Sequence, residues 1–215
     1  MRSVQTLTFK KIWHHLRTVQ THRKWVRYYC HHAGIYWRGF KHDLSKYSPT
    51  EFFESARYWD GESTPINRIK ADKGYSEAWL HHKGRNSHHY EYWMDNFDKG
   101  GVALIMPCDD FVEMVCDMLA ASVAYHHGDT KHVFNNCRDY WNAHKARGCA
   151  MNSRNQTMMD IVWSDLAYAE LYYGIKPYVE SPLALLEGNY IQKVWKANCG
   201  KDNTDDQRLY RWECD

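Results

Sequence analysis

The sequence predicts an all-α, bundle-like protein, and three observations support this fold class. Apolar residues recur at helical spacing along most of the chain, whereas the alternation typical of strands is scarce. Helix-start signals stand before two of these segments, at Ser48-Pro49 and at Ser76. The length of 215 residues suits one domain that buries a core without disulfide or metal staples.

The N-terminal part of the chain is predicted to begin with one long helix over residues 4–31, where apolar side chains share a face. Ser48 is the expected N-cap of a second helix, which starts at Pro49 and has Glu51 as its capping-box partner. This second helix is expected to end near residues 60–61, where an Asp-Gly pair interrupts the pattern.

The middle of the chain alternates between predicted loops and helices. Residues 61–75 are polar and are predicted to form a loop. A helical segment follows over 76–93, interrupted at Gly84, and a Gly-rich loop follows over 98–108. The clearest helical pattern covers residues 109–126.

The C-terminal part is predicted to add two further helices, over residues 131–146 and 155–173. Residues 198–208 are predicted to form a flexible polar loop. We therefore expect a helical core over residues 1–130, on which helices of 131–215 pack within a single domain.

The composition argues against several classes of protein. The net charge of +2 gives no signal for nucleic acid, and the chain has no long apolar run or signal-peptide pattern that would indicate a membrane partner. The seven cysteines include no C-x-x-C pair, which favours a cytoplasmic protein with reduced thiols. The sequence leaves the oligomeric state open, including a homo-oligomer.

Several familiar catalytic motifs do not occur in the sequence. It has no G-x-S-x-G elbow, no Gly-rich phosphate loop, no H-E-x-x-H and no Glu-x-x-His pair. The chain is instead rich in histidine, with fourteen residues, most of them in adjacent pairs. The pairs at 14–15, 31–32 and 126–127 are expected to be surface or packing residues.

The stretch KHDLSK, residues 41–46, raises the question of a metal site. Imidazole and carboxylate together suit Zn, Fe, Mn and similar ions, so His42 and Asp43 are candidate ligands. Adjacent side chains on a helix diverge by about 100°, so both reach one centre only if the backbone is arranged for it. An isolated His-Asp pair is more often a helix cap and a solvated charge. The interpretation as metal ligands therefore depends on the other histidines of the chain.

The pattern H-D-x-x-K resembles the signature of the HD superfamily of metal-dependent phosphohydrolases. The resemblance covers about residues 20–120 and implies an HD-domain-like helical bundle. Its ligands follow the order His, His-Asp, one or more His, and a final Asp, and this chain offers the same order. The metal ligands that the resemblance implies are His22, His42, Asp43, His82, His88, His89 and Asp117.

Two adjacent pairs leave a choice between neighbours. The resemblance favours His82 over His81, which is expected to lie outside the site. It favours His89 over His88, with His88 as a further ligand or a substrate contact. His22 would be read as a core histidine if it stood alone.

A closer resemblance is to a family of bacterial and phage proteins described as a domain of unknown function, DUF5662. It rests on the strings HDLSKYSPTEF, HHKGRNSHHYEYW and MPCDDFVEMVCD. This resemblance implies the same motif set and no established reaction.

Asp117 and Glu113 lie on one face of the predicted 109–126 helix, together with Asp110. A solvated acidic stripe is the simplest interpretation of such a face. However, Asp117 is flanked by apolar residues, and a carboxylate among them needs a cation or hydrogen bonds. Glu113, one turn earlier, is expected to orient a ligand histidine from behind.

Three further residues are candidates for contact with substrate. Lys46 matches the family lysine, which is placed to contact a phosphate or to stabilise developing charge. Arg85 and Asn86 lie between the two histidine pairs, where a guanidinium can hold a phosphate through two hydrogen bonds. Lys46, Arg85 and Asp43 are the catalytic candidates, although a solvated loop is an equally good interpretation of 85–86.

The resemblance to the HD superfamily therefore implies a metal-dependent phosphohydrolase that acts on a nucleotide or another small phosphate ester. It would use one or two divalent transition metals, namely Zn, Mn, Ni, Co or Fe. An HD-type di-iron oxygenase that cleaves a C–C or C–P bond is the first alternative. A non-catalytic binding protein that keeps the fold is the second.

Overall fold

The protein is an all-α bundle, which confirms the predicted fold class. The computed structural model describes residues 5–61, 63–95, 101–126, 128 and 130–199. The ten α-helices of these residues are α1 (Phe9–His32), α2 (Tyr36–Lys41), α3 (Pro49–Tyr58), α4 (Pro65–Lys73), α5 (Glu77–Lys83), α6 (Cys108–Tyr125), α7 (Val133–Ala146), α8 (Ser153–Tyr172), α9 (Pro182–Glu187) and α10 (Tyr190–Cys199). Two 3-10 helices, Leu44–Tyr47 and Tyr90–Trp93, and a short antiparallel ribbon of β1 (Met94–Asp95) and β2 (Val102–Ala103) accompany them.

Side-chain caps fix the starts of the first long helices. α1 begins at Phe9, later than predicted, because Thr8 Oγ1 accepts a hydrogen bond of 3.3 Å from the amide of Lys11. α3 begins at its predicted position, where Ser48 Oγ accepts a hydrogen bond of 3.4 Å from the amide of Glu51.

The prediction of a loop over residues 61–75 is wrong for most of its length. α4 covers Pro65–Lys73 and is followed by Gly74, which adopts a φ of +84°. Pro65 and Ile69 are its buried residues. A short helix that buries so few apolar side chains leaves little helical periodicity in the sequence.

The C-terminal helices were predicted in part. α7 and α8 lie close to their predicted positions, whereas α9 and α10 were missed. α9 is one short segment with Ser181 as N-cap and Pro182 as its first residue. α10 continues to residue 199, inside the predicted polar loop 198–208, and the rest of that loop, like His127, lies outside the described residues.

α6 occupies the centre of the bundle, where it packs against α1, α7 and α10. Its residues Phe111, Val115 and Leu119 are fully buried. The same core cluster includes Trp163 of α8 and Ile191 of α10, so the C-terminal helices share one core with α1. No helix within the described ranges is long and apolar enough to cross a membrane.

Candidate metal centre

The His42-Asp43 pair lies at a break between two helices. α2 ends before His42, which has an extended backbone (φ −49°, ψ 133°), and the 3-10 helix begins after Asp43. Asp43 is left-handed (φ 55°, ψ 28°), a conformation that is rare for residues other than glycine and best tolerated by Asn and Asp. Because the helix is interrupted here, the adjacent side chains enter the same buried space.

Close packing of α2 on α1 holds this break in place. A Cβ atom on Gly39 would lie 2.5 Å from the Cβ of Cys30, so only glycine permits this approach. Arg23 of α1 donates hydrogen bonds of 2.9 Å to the carbonyls of Phe40 and His42. The end of α2 is therefore fixed to α1.

The first group of candidate ligands comprises His22, His42, Asp43 and Asp117, whose donor atoms all lie within 4.8 Å of one another. His22 Nε2 lies 2.9 Å from Asp117 Oδ1. His42 Nε2 lies 3.2 Å from Asp43 Oδ2 and 3.3 Å from Asp117 Oδ1. Ligands that share a metal at about 2.0–2.1 Å are expected to lie about 3.0–3.4 Å apart. These four side chains can therefore hold a metal ion with little adjustment.

The second group comprises Asp43, His82, His88 and His89. Asp43 Oδ1 lies 3.3 Å from His82 Nε2 and 3.4 Å from His88 Nε2. Asp43 thus turns one oxygen to each group, as a carboxylate that bridges two metal ions would. All seven predicted ligands come together in these two groups, and both His88 and His89 take part.

Several donor atoms at this centre are buried without a hydrogen bond of normal geometry to any described residue. They are Asp43 Oδ1 and the Nε2 atoms of His22, His42, His88 and His89. A buried polar atom without a partner costs free energy, and so many at one point are unusual in a folded protein. A bound metal would supply the partner that these atoms lack.

Carboxylates behind the histidines select the nitrogen that faces the centre. Glu113 Oε1 lies 2.8 Å from His42 Nδ1, in the orienting position expected from the sequence. Glu51 Oε2 lies 2.8 Å from His82 Nδ1, and its other oxygen lies 2.6 Å from His81 Nδ1. The expectation that the Glu51 carboxylate closes a capping box is therefore wrong, since it binds two histidines. A histidine that donates Nδ1–H to a carboxylate presents Nε2 to a metal.

Electrostatics at the centre favour bound positive charge. Burial alone would raise the pKa of Asp43, but the charges of His42 and Lys46 hold it well below its ordinary value. Burial, reinforced by the charge of His88, lowers the pKa of His89 well below its ordinary value. The carboxylate is therefore ionised and His89 neutral, which are the states that bind metal ions.

The three candidate substrate contacts lie around this centre. Lys46 Nζ lies 2.5 Å from Asp43 Oδ2, the oxygen that faces the first group. Asn86 Nδ2 donates a hydrogen bond of 2.9 Å to Ser45 Oγ. Arg85 and Asn86 line a cleft of about 260 Å³ that reaches His42, Asp43 and His88. That Lys46, Arg85 and Asn86 contact a substrate stays a prediction.

Arg38 is a member of this region that the sequence did not reveal. Its Nε donates a hydrogen bond of 2.8 Å to Glu113 Oε2, and its Nη2 pairs with Asp110. Asp110 also accepts a hydrogen bond of 2.5 Å from Ser87 Oγ. Arg38 lies one turn before His42 on α2, but its partners are distant in sequence and no local pattern marks them.

Comparison with known proteins places the chain in a family. Residues 11–164 match the family described as "Family of unknown function (DUF5662)". The chain belongs to this family. All seven candidate ligands lie within the matched residues. No curated protein and no solved structure matches the chain. The family description names no reaction, so the function has to be argued from the site.

Proposed function

We propose that this protein is a metal-dependent phosphohydrolase of the HD type that acts on a nucleotide or another small phosphate ester. The observation that carries the proposal is the position of Asp43, whose two oxygens belong to two separate groups of metal-ligating side chains. Paired metal sites that share a ligand are typical of enzymes that displace groups at phosphorus.

The residues present fit divalent transition metals. Imidazole and carboxylate donors suit Zn, Mn, Ni, Co and Fe, and the neighbouring carboxylates hold the imidazoles in the orientation that such ions require. His22, His42 and Asp117 would hold one ion, His82, His88 and His89 a second, and Asp43 would touch both. Such ions lower the pKa of a bound water and polarise a phosphate oxygen.

The proposed reaction is hydrolysis of a phosphate monoester. The oxygen of water forms a bond to phosphorus, the bond between phosphorus and the ester oxygen breaks, and the leaving oxygen takes a proton from the water. The products are an alcohol and inorganic phosphate. Lys46 lies at the centre with a charge that can stabilise negative charge as it develops on the phosphate oxygens. Arg85 is placed in the cleft wall to hold the phosphate.

A di-iron oxygenase is the second candidate, because the donors form two groups of four that share one carboxylate, which also suits a pair of irons. A binding protein without a reaction is the third. The cleft that opens on the donor groups argues against it, since a purely structural metal site is normally closed.

Metal analysis of protein purified with and without oxygen, followed by phosphatase assays, tests the proposal. Zn, Mn, Ni or Co together with release of phosphate is the expected result. Two irons per chain with a visible or EPR signal and no phosphatase activity would favour the oxygenase.

The double change His42→Ala with Asp43→Ala should abolish metal binding and turnover while the far-ultraviolet circular dichroism keeps most of its helical signal. The matched control is His132→Ala with Asp139→Ala, which changes two exposed residues that belong to neither group of candidate ligands. A wild-type chain that binds no metal and an unchanged activity in the first variant would overturn both enzyme proposals.

A further inference from the structure

The cleft beside the metal centre carries more positive charge than its own carboxylates neutralise. Glu113 is engaged by Arg38 and by His42, and Asp43 is engaged by Lys46. These contacts account for both carboxylates that line the cleft.

Two cationic side chains in the cleft lining have no carboxylate partner among the described residues. Lys41 and Arg85 both line the cleft, and neither pairs with a carboxylate among the described residues. Among the described residues, the Arg85 guanidinium makes one hydrogen bond, a long contact of 3.5 Å to the carbonyl of His81. Two unpaired cations beside a metal centre suit a doubly charged anion such as a phosphate monoester.

One residue of the cleft lining is a tryptophan. Trp37 lines the cleft and is 70% exposed, although an indole buries much of its area in most folded proteins. Trp37 lies on α2, directly before Arg38 and one turn before Lys41, and both of these residues also line the cleft. An exposed indole next to an anion site provides a flat surface on which a planar ring can stack.

The size of the cleft limits the ligand. Its volume of about 260 Å³ lies just below the range of about 300–1,000 Å³ that is typical of small-molecule pockets. A cleft of this size suits one small molecule and is too small for a nucleic-acid strand. The net charge of +2 for the whole chain likewise gives no signal for a nucleic-acid polymer.

We propose that this cleft selects phosphate monoesters whose alcohol carries a planar ring, such as nucleoside 5′-monophosphates. Lys41 and Arg85 hold the phosphate beside the metal centre, and Trp37 packs against the ring. The choice of phosphate as the anion rests on the proposed hydrolase function, whereas the requirement for a planar ring rests on Trp37.

Calorimetry with two probes on the full-length, metal-loaded protein tests the selection without relying on turnover. The first probe is the phosphonate analogue of adenosine 5′-monophosphate, in which a methylene group replaces the ester oxygen. The second is methylphosphonate, which has the anion but no ring. Trp37→Ala should weaken binding of the first probe about tenfold and leave the second unchanged, and Trp37→Phe should restore most of the affinity.

The cations should act on both probes. Lys41→Gln and Arg85→Gln are each expected to weaken both about tenfold, because each variant removes a contact to the shared anion. Trp13→Ala and Lys10→Gln are matched controls on α1, away from the cleft lining, and should bind both probes like the wild type.

The outcomes separate this inference from the function on which it rests. If Trp37→Ala bound the adenosine analogue as tightly as the wild type, the ring selection would be wrong even if phosphate esters were hydrolysed. If both cation variants bound both probes normally, the anion site would be wrong. The expected binding pattern without hydrolysis of any nucleoside monophosphate or other small phosphate ester tested would support the cleft and overturn the hydrolase.

Discussion

Glu113 Oε1 lies 2.8 Å from Nδ1 of His42, and this contact leaves Nε2 of the same ring facing Asp43 and Asp117. Burial by itself would raise the pKa of Glu113, but the hydrogen bonds of His42 and His88 lower it below its ordinary value. Glu113 is therefore an ionised acceptor that fixes the imidazole of His42, a candidate metal ligand.

Glu113→Gln should weaken metal binding by about 10- to 100-fold, because an amide orients the imidazole less strongly than a carboxylate does. Competition with a chromogenic chelator measures the affinity. Glu187→Gln is the matched control, since Glu187 Oε1 lies 2.7 Å from Nδ1 of His32 in a similar pair away from the centre. Equal affinities in the two variants would show that the Glu113 contact has no role in metal binding.

The shared carboxylate predicts different metal contents for two similar changes. Asp117 belongs to one group of donors and Asp43 to both. If the wild type binds two ions per chain, Asp117→Asn should keep one and Asp43→Asn should keep fewer than one. Asn tolerates the left-handed backbone of residue 43, so the change tests the ligand rather than the fold. Mass spectrometry measures the metal content of the two variants. A loss of only one ion in Asp43→Asn would contradict the position of Asp43 between the two groups.

Lys46 is expected to support the reaction without contributing to metal affinity. Lys46→Met should lower turnover of a phosphate ester about a hundredfold, because it removes a positive charge from the centre. Metal affinity should stay the same or rise, since the ammonium group competes for Asp43 Oδ2 at 2.5 Å. Lys73→Met, which breaks a comparable pair with Glu54 at 2.7 Å, should leave turnover intact. Loss of metal in Lys46→Met would indicate a structural role instead.

Gly39 connects the packing of the bundle to the centre. Gly39→Ala would bring a Cβ to 2.5 Å from that of Cys30, so α2 must move away from α1. We expect a loss of about 1–3 kcal/mol in the free energy of unfolding, as for other overpacked sites. Because His42 follows α2 directly, metal affinity should fall as well. Urea unfolding and metal titration measure the two effects, and a stability within about 0.5 kcal/mol of the wild type would refute the packing constraint.

His15 should make stability depend on pH. Its ring lies against Phe52, and burial, reinforced by the charge of Lys46, lowers its pKa from 6.5 to about 4. The unfolded chain therefore takes up a proton before the folded chain does. This contribution to stability is complete above pH 6.5 and is lost as the pH falls toward 4.

Between pH 7 and pH 5 the wild type should lose about 2 kcal/mol more in the free energy of unfolding than His15→Gln does. Urea unfolding at several pH values measures this difference. His132→Gln, which alters an exposed histidine, should follow the wild type. Parallel pH curves for the wild type and His15→Gln would show that the burial of His15 has no effect on stability.

Local signals in the sequence were enough for the helices that bury a continuous apolar stripe. α6 was predicted almost to its ends, because its apolar residues repeat without interruption. His22 and Asp117 stood out as polar residues among apolar neighbours on two helices. The order of His and Asp along the chain carried the family resemblance, and that resemblance marked them as candidate ligands.

The remaining parts depend on contacts between distant segments. Glu51 looked like a helix-capping residue, and only the packing of α3 against α5 brings it to His81 and His82. The left-handed backbone of Asp43 had no signal in KHDLSK, because Asp occurs in many conformations. Arg38 escaped notice for a similar reason, since its partners lie on α6.

The segment that leads into α6 is anchored by helices from the far end of the chain. Asn155 Oδ1 accepts a hydrogen bond of 2.9 Å from the amide of Met106, and Trp195 Nε1 donates one of 2.9 Å to the carbonyl of Met106. The family match ends at residue 164, before Trp195. A fragment cut at that family boundary would keep every candidate ligand and the Asn155 contact, but it would lose the contact from Trp195. Transfer of the domain to another protein should therefore include the chain through residue 199.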